Sequence, residues 1–359
     1  MEDKKFMKGC EAVAEAAVRA GCRYFAGYPI TPQNAVPEYL SRRLPQVGGV
    51  FMQGESEIAS SNMVYGGATA GIRSLLSSSS CGISLMSETI SWMAQGRLPA
   101  VICNFQRGGP GIGSIQPSQQ DYNQATRALG NGGYRMIVQA PADIQEAVEM
   151  TYDAFDIADK YSYPTVVLLD GFTGSLMEPV TLPPMKSDEE IQAIMDSKTW
   201  VPKGRGPEHV VHKGAAPAPV EVKNPQDAAM YEKWKETEVR YEVDGLEDAK
   251  LVVTSYGVSA RIAESAVEIL REEGYKLGFI RAKRIYPFPD EAFEQIDYDQ
   301  VKGIMDVEMS KPAQYAEDVK VAVRKRAPIE TCLTSGGVII DRDDVVEAIR
   351  DMYNRKVGE

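Results

Sequence analysis

Tyr24-Phe25-Ala26, followed directly by Gly27-Tyr28-Pro29-Ile30-Thr31-Pro32, reads as a short buried strand that stops at a proline and turns into a helix. Thr31 is expected as the N-cap and Pro32 at the first helical position, where a missing N–H costs nothing. A hydroxyl and free backbone N–H groups at a helix start suit an anionic ligand.

Working outward, helices are expected near Met7–Ala20, Gln33–Arg43, Glu57–Ala70, Ile83–Arg97, Asp121–Leu129 and Asp143–Lys160. Between them lie apolar runs at Val50–Gln53, Arg73–Leu76, Ala100–Phe105, Met136–Val138 and Thr165–Leu169. Apolar runs without alternation, separated by helices, indicate a parallel sheet covered on both faces, which is a doubly wound α/β domain. From about Gly171 to Glu247 Pro and Gly cluster around a polar helix near Pro225–Arg240, a connecting segment whose order the sequence leaves open. A second α/β unit begins at Lys250, with strands at Leu251–Ser255, Lys276–Arg281, Gly303–Val307 and Ile329–Leu333 and helices at Ala260–Glu273 and Asp344–Tyr353.

The 359 residues carry a formal net charge of −12, which argues against nucleic acid and anionic lipid as partners. No apolar run approaches the ~20 residues of a membrane span, and the start is polar, so a cytoplasmic protein is expected. Cys10, Cys22, Cys81, Cys103 and Cys332 are scattered without a C-x-x-C pair, which excludes a local iron–sulfur or zinc motif. Both histidines, His209 and His212, fall in a Gly/Pro/Lys-rich segment, against histidine acid–base chemistry.

In an open parallel sheet ligands bind beyond the carboxyl ends of the strands. There the sequence places Thr31, then Glu55-Ser56-Glu57, then the serine tract Ser77–Ser80, then Arg107. The following Gly108-Gly109-Pro110-Gly111-Ile112-Gly113 is glycine-rich but not G-x-G-x-x-G, and no Walker sequence occurs, so a nicotinamide site is rejected.

These four features together resemble the thiamine diphosphate-dependent 2-oxoacid:ferredoxin oxidoreductases. More narrowly, most of the chain is similar to their alpha-type subunit, as in branched-chain 2-oxoacid (2-oxoisovalerate) and 2-oxoglutarate enzymes. The resemblance implies a pyrimidine-binding domain over residues 1–175, a connecting segment over 176–247, and a transketolase C-terminal-like domain over 248–359. The last contains Arg284-Ile285-Tyr286-Pro287-Phe288-Pro289. Glu57 matches the family glutamate that hydrogen-bonds N1′ of the cofactor's aminopyrimidine and promotes loss of the C2 proton, with Pro29 and Ser79 as further cofactor contacts. Glu55 is the rival carboxylate. Arg107 would grip the 2-oxoacid carboxylate, with Thr31 beside it.

The resemblance also implies partners. The Gly-Asp-Gly…Asn arrangement for the Mg²⁺-bridged diphosphate is missing, and Asp170-Gly171 is too little to replace it. The chain would therefore hold no metal and half a cofactor site. A beta-type subunit would bring the Mg²⁺-diphosphate half, and a gamma-type or ferredoxin-like subunit the remaining parts, iron–sulfur clusters among them. The activity implied is oxidative decarboxylation of a branched-chain 2-oxoacid to acyl-CoA with reduction of ferredoxin. 2-Oxoglutarate, a non-redox thiamine diphosphate transferase and a non-catalytic assembly subunit stay open as alternatives. Where relatives often carry Asn-Gly-Gln, this chain has Ser310-Lys311-Pro312-Ala313-Gln314, which leaves the role of that loop open.

Overall fold

The structure, a computed structural model, describes residues 4–201 and 219–358, so both histidines lie outside the described residues. Six parallel strands run in the order Ile137–Gln139, Thr165–Asp170, Val101–Gln106, Ser74–Ser78, Tyr24–Gly27 and Val50–Gln53. Every residue of the two strands Val101–Gln106 and Thr165–Asp170 is buried, which is why they read as unbroken apolar runs. One face packs on Gly9–Arg19, Ala35–Gln46 and Ile144–Tyr161 through Val13, Leu40, Phe105 and Phe155, and the other carries Glu57–Thr69 and Ser80–Gly96. The doubly wound α/β expectation holds.

Several local expectations give way. Helix one begins at Gly9 instead of Met7, because Lys5–Lys8 pairs antiparallel with Met177–Val180. Thr31 does not cap a helix and Pro32 does not open one; the helix starts at Ala35 after Asn34. Residues 30–34 instead fold into a turn that buries Gln33, whose Oε1 accepts from the Ser77 hydroxyl at 2.7 Å. The helix expected over Asp121–Leu129 is present over residues 122–128, widened to a π turn at Gln124–Ala128, and the residues at its start also contact the second unit.

The second sheet runs Ile329–Leu333, Ile304–Glu308, Leu251–Tyr256, Leu277–Ala282, Tyr241–Asp244, with only the last strand antiparallel. Gly257–Glu272 and Arg342–Lys356 cover one face, and Tyr315–Val323, which the sequence did not reveal, follows Ile304–Glu308. Two strands stitch the units together. Tyr241–Asp244 arrives from the connecting segment, and Arg284–Tyr286 leaves the second unit to pair antiparallel with Ile137–Gln139 of the first sheet.

The loop in doubt, residues 310–314, has a structural task. The Gln314 carboxamide donates to the Gln120 carbonyl and accepts from the Asn123 N–H, both at 2.8 Å. Gln119 is gripped more fully. Its backbone N–H reaches Met309 at 2.9 Å and its Nε2 reaches the Tyr256 carbonyl at 2.8 Å. Its Oε1 accepts from the Met309 N–H at 2.8 Å and from the Ser259 hydroxyl. With both polar atoms of a buried carboxamide hydrogen-bonded across the two units, this segment is an interdomain clamp.

Candidate active site

Four strand ends build the site. Ser56 caps the Glu57–Thr69 helix, its hydroxyl accepting from the Ala59 N–H at 3.1 Å, which sets Glu57 on the first turn. The Glu57 side chain is 7% exposed, yet no described residue donates a hydrogen bond to it or pairs with it. Glu55, the rival carboxylate, is exposed. The Ser80–Gly96 helix enters beside it, and its Gly82 is placed where a side chain could not be. A Cβ there would lie 2.2 Å from the Ser78 hydroxyl and 3.0 Å from both Cγ and Oε1 of Glu57. Ser78 and Ser79 are fully buried and their hydroxyl oxygens have no partner.

Arg107, at the end of Val101–Gln106, is 6% exposed and also has no carboxylate partner among the described residues. Its guanidinium donates only to neutral acceptors, namely the Thr31 carbonyl at 2.9 Å, the Ile112 carbonyl at 3.0 Å and Cys81 Sγ at 3.0 Å. Its Nε is buried and unbonded. The glycine loop that supplies Ile112 folds back tightly. Ser114 N–H reaches the Gly108 carbonyl at 2.8 Å, and Gly113, at φ +54, leaves no room for a Cβ, which would sit 1.8 Å from that oxygen. Thr31 meets Arg107 through its carbonyl, and its hydroxyl side is exposed at the rim with Pro29.

Buried charges are ordinarily paired, because desolvating a lone ion costs several kcal/mol. Here a carboxylate and a guanidinium are both buried and both unpaired, at strand ends of one sheet edge, with two orphaned hydroxyls between them. That is a site for a ligand with complementary groups. A carboxyl group such as that of Glu57 suits the ring nitrogen of an aminopyrimidine, and Gly82 lets the helix backbone approach Glu57 and Ser78 closely. No described residues form a cluster of three or more His, Cys, Asp or Glu that could hold a metal ion. Asp170 is fully occupied as a helix cap, accepting from the N–H groups of Phe172 and Thr173 at 2.8 and 2.9 Å and from the Thr173 hydroxyl at 3.0 Å.

The sequence did not single out Cys81, Asn104 or Asp121, which stand behind Arg107, nor Gly82. The cysteines are all free. Burial pushes the Cys10 and Cys22 thiols up to about 12 and the Cys332 thiol to about 11, and raises Cys103 as well. Cys81 alone touches the site.

The rim is open. Beside Glu57, exposed Ile58, Leu85 and Trp92 line a groove of about 250 Å³. A cavity of about 360 Å³ lies at the far end of the Ser80–Gly96 helix, between Trp92, Asn131, Tyr134 and Tyr231, away from the unpaired charges.

Fold and site together define a doubly wound α/β chain with a buried carboxyl group and a buried guanidinium, neither in a salt bridge among the described residues, at the ligand edge of its first sheet. Residues 15–243 match the family described as pyruvate flavodoxin/ferredoxin oxidoreductase, thiamine diphosphate-binding, and residues 249–345 match pyruvate:ferredoxin oxidoreductase core domain II. The chain belongs to this family of thiamine diphosphate-dependent 2-oxoacid oxidoreductases, as its motifs imply. Among its relatives, the ketoisovalerate oxidoreductase subunit VorB of Methanothermobacter thermautotrophicus is 39% identical over 97% of each chain. The 2-oxoglutarate synthase subunit KorA of the same organism is 31% identical over 98% of this chain and 100% of its own. The 2-oxoglutarate:ferredoxin oxidoreductase from Magnetococcus marinus superimposes with a TM-score of 0.85 at 24% identity. That match covers 98% of this chain and 65% of the other, so the likeness is one of fold.

Proposed function

We propose that this chain is the alpha-type subunit of a heteromeric, cytoplasmic 2-oxoacid:ferredoxin oxidoreductase acting on a branched-chain 2-oxoacid, with 2-oxoisovalerate as substrate. One 2-oxoacid and CoA would yield acyl-CoA, CO₂ and a proton, with two electrons passing to two ferredoxins. The observation that carries the reading is the unpaired Glu57 carboxyl group and the unpaired Arg107 guanidinium on one sheet edge. Bound thiamine diphosphate supplies the carbanion-stabilising chemistry.

The residues of this chain then have separate tasks. Glu57 holds a proton at the aminopyrimidine N1′, with Ser79 and Pro29 against the same ring. Arg107 anchors the substrate C1 carboxylate through its free N–H groups, and Thr31 stands at the mouth. The exposed Ile58, Leu85 and Trp92 become buried against a beta-type subunit that brings the Mg²⁺-diphosphate half, which excludes water from Glu57. Iron–sulfur clusters would sit on gamma-type or ferredoxin-like subunits. Residues 1–175 would be the pyrimidine-binding unit, 176–247 the connection and 248–359 the C-terminal unit.

The preference for a branched acyl group is supported by the higher identity to the ketoisovalerate subunits, 39% and 38%, than to the 2-oxoglutarate subunits, 31% to 32%. The test is CoA-dependent viologen reduction by the complex purified on this chain, over a panel of 2-oxoacids. Highest kcat/KM with 2-oxoisovalerate supports the reading; highest kcat/KM with 2-oxoglutarate overturns the acyl preference.

A further inference from the structure

Behind Arg107 lies a buried polar network. Asp121, nearly fully buried, accepts at Oδ2 from the Ser80 hydroxyl at 2.6 Å and from Asn104 Nδ2 at 2.9 Å. Asn104 Oδ1 in turn accepts from the Ser80 N–H at 3.0 Å. The Ser80 hydroxyl accepts from the Arg107 N–H at 2.9 Å. These bonds close a ring around one residue with a strained backbone. Ser80 sits at φ +25, in the left-handed region that side-chain-bearing residues seldom adopt, and such a conformation persists only where its surroundings over-determine it.

Asp121 is also tied in the other direction. It lies within the 119–123 segment that the second unit grips, through Met309, Tyr256 and Ser259 on Gln119 and through Gln314 on Gln120 and Asn123. The Tyr122 ring next to it packs on Tyr256 and Tyr315 at centroid distances of 5.4 and 5.8 Å. We propose that Asp121 is a positioning residue: it locks Ser80, Ser80 locks the backbone of Arg107, and the grip on the substrate carboxylate thereby depends on docking of the second unit. This rests on Arg107 being the carboxylate anchor.

Arg107 forms no salt bridge among the described residues, its guanidinium bonds only to carbonyls and a thiol, and the one buried carboxylate that feels its charge is that of Asp121 behind it. Its aim is therefore set by where its backbone starts, and the Ser80 hydroxyl holds that backbone beside the chain-reversing glycine loop. Both donors to Asp121 converge on a single oxygen, so an amide oxygen can replace the carboxylate. Desolvation raises the Asp121 pKa, opposed by the hydrogen bonds from Ser80 and Asn104 and by the Arg107 charge.

The experiment uses the assembled complex and compares wild type, Asp121→Ala, Asp121→Asn and Arg107→Ala in viologen reduction, with KM for the 2-oxoacid and for CoA measured separately. Asp121→Ala should raise the 2-oxoacid KM about tenfold or more, the scale of one mispositioned hydrogen-bonding group, while the CoA KM holds. Asp121→Asn should recover most of that loss. Ser80→Ala, which cuts the link and leaves the acid in place, should reproduce the KM rise and stands in where Asp121→Ala does not assemble. An unchanged 2-oxoacid KM in Asp121→Ala or Ser80→Ala overturns the proposal, as does a parallel rise in both KM values. An unchanged KM in Arg107→Ala, by contrast, refutes the anchor reading itself.

Discussion

Gly82→Ala is the perturbation that most sharply separates stability from chemistry. Gly82 lies in the first turn of Ser80–Gly96 without a positive φ, so alanine is conformationally welcome there and favours the helix by ~1 kcal/mol. Against that, the new methyl group would sit 2.2 Å from the Ser78 hydroxyl oxygen and 3.0 Å from Cγ and Oε1 of Glu57. The Ser78 hydroxyl makes no hydrogen bond, so turning it away forfeits none and costs about 0.5–1.5 kcal/mol where the rotamer is imperfect. Glu57 is likewise untethered by protein partners and must shift by a few tenths of an ångström. The two terms nearly cancel, so thermal unfolding of the complex should move by no more than a few degrees. Activity should not be spared if Glu57 holds the proton as proposed: a misplacement of 1 Å costs ~10²-fold, so a smaller displacement of its carboxyl group should cost about tenfold. The assay is viologen reduction beside a melting curve, with Gly66→Ala as control, since a Cβ at Gly66 meets nothing within 4 Å. Full activity in Gly82→Ala, with the complex intact, would refute the claim that Glu57 must be held where the structure places it.

Two further predictions concern the second unit. Gln314→Ala removes both hydrogen bonds to Gln120 and Asn123 and should destabilise the interdomain clamp by about 1–3 kcal/mol, seen as faster proteolysis around residues 119–123. No change in proteolysis or melting would mean the loop is not a clamp. Asp306 and Glu308 form a buried acid pair. Glu308 accepts from the N–H groups of Gln314, Tyr315 and Ala316, while burial and the Glu308 charge hold Asp306 protonated far above the usual carboxylate range. Above the unfolded value of 3.8 the folded chain keeps a proton that the unfolded chain has lost, so this group's contribution falls as pH rises, by ~1.4 kcal/mol per unit. Asp306→Asn has no proton to keep and should gain stability over wild type between about pH 5 and pH 8 in urea titrations. Parallel stability curves for the two would contradict this.

What the sequence made legible follows from what is local. Val101–Gln106 and Thr165–Asp170 announce themselves because central parallel strands are apolar on both faces. Arg107 was visible as a polar residue directly after such a strand, and Glu57 as one shortly after the edge strand Val50–Gln53. The Thr31 cap failed because the turn serves a distant partner: Gln33 is pulled in by Ser77, forty-four positions later, and nothing near Thr31 signals it. Asp121 read correctly as the start of a helix, but its tie to Ser80 and Asn104 was not visible, since those partners come from two other elements. Gly82 carried no sign of its role, because a helical glycine reads as a weak spot until the carboxylate opposite it is known. Tyr241–Asp244 and Arg284–Tyr286 were missed as stitching strands because each is short and joins the sheet of the other unit.

The most direct test of the central claim is 2-oxoisovalerate- and CoA-dependent viologen reduction by the complex assembled on this chain, wild type beside Glu57→Gln. The account predicts strong reduction in wild type and its collapse in Glu57→Gln, with the same subunits and the same thiamine diphosphate content in both. Equal rates in the two complexes would contradict it and place the proton-holding carboxyl group elsewhere.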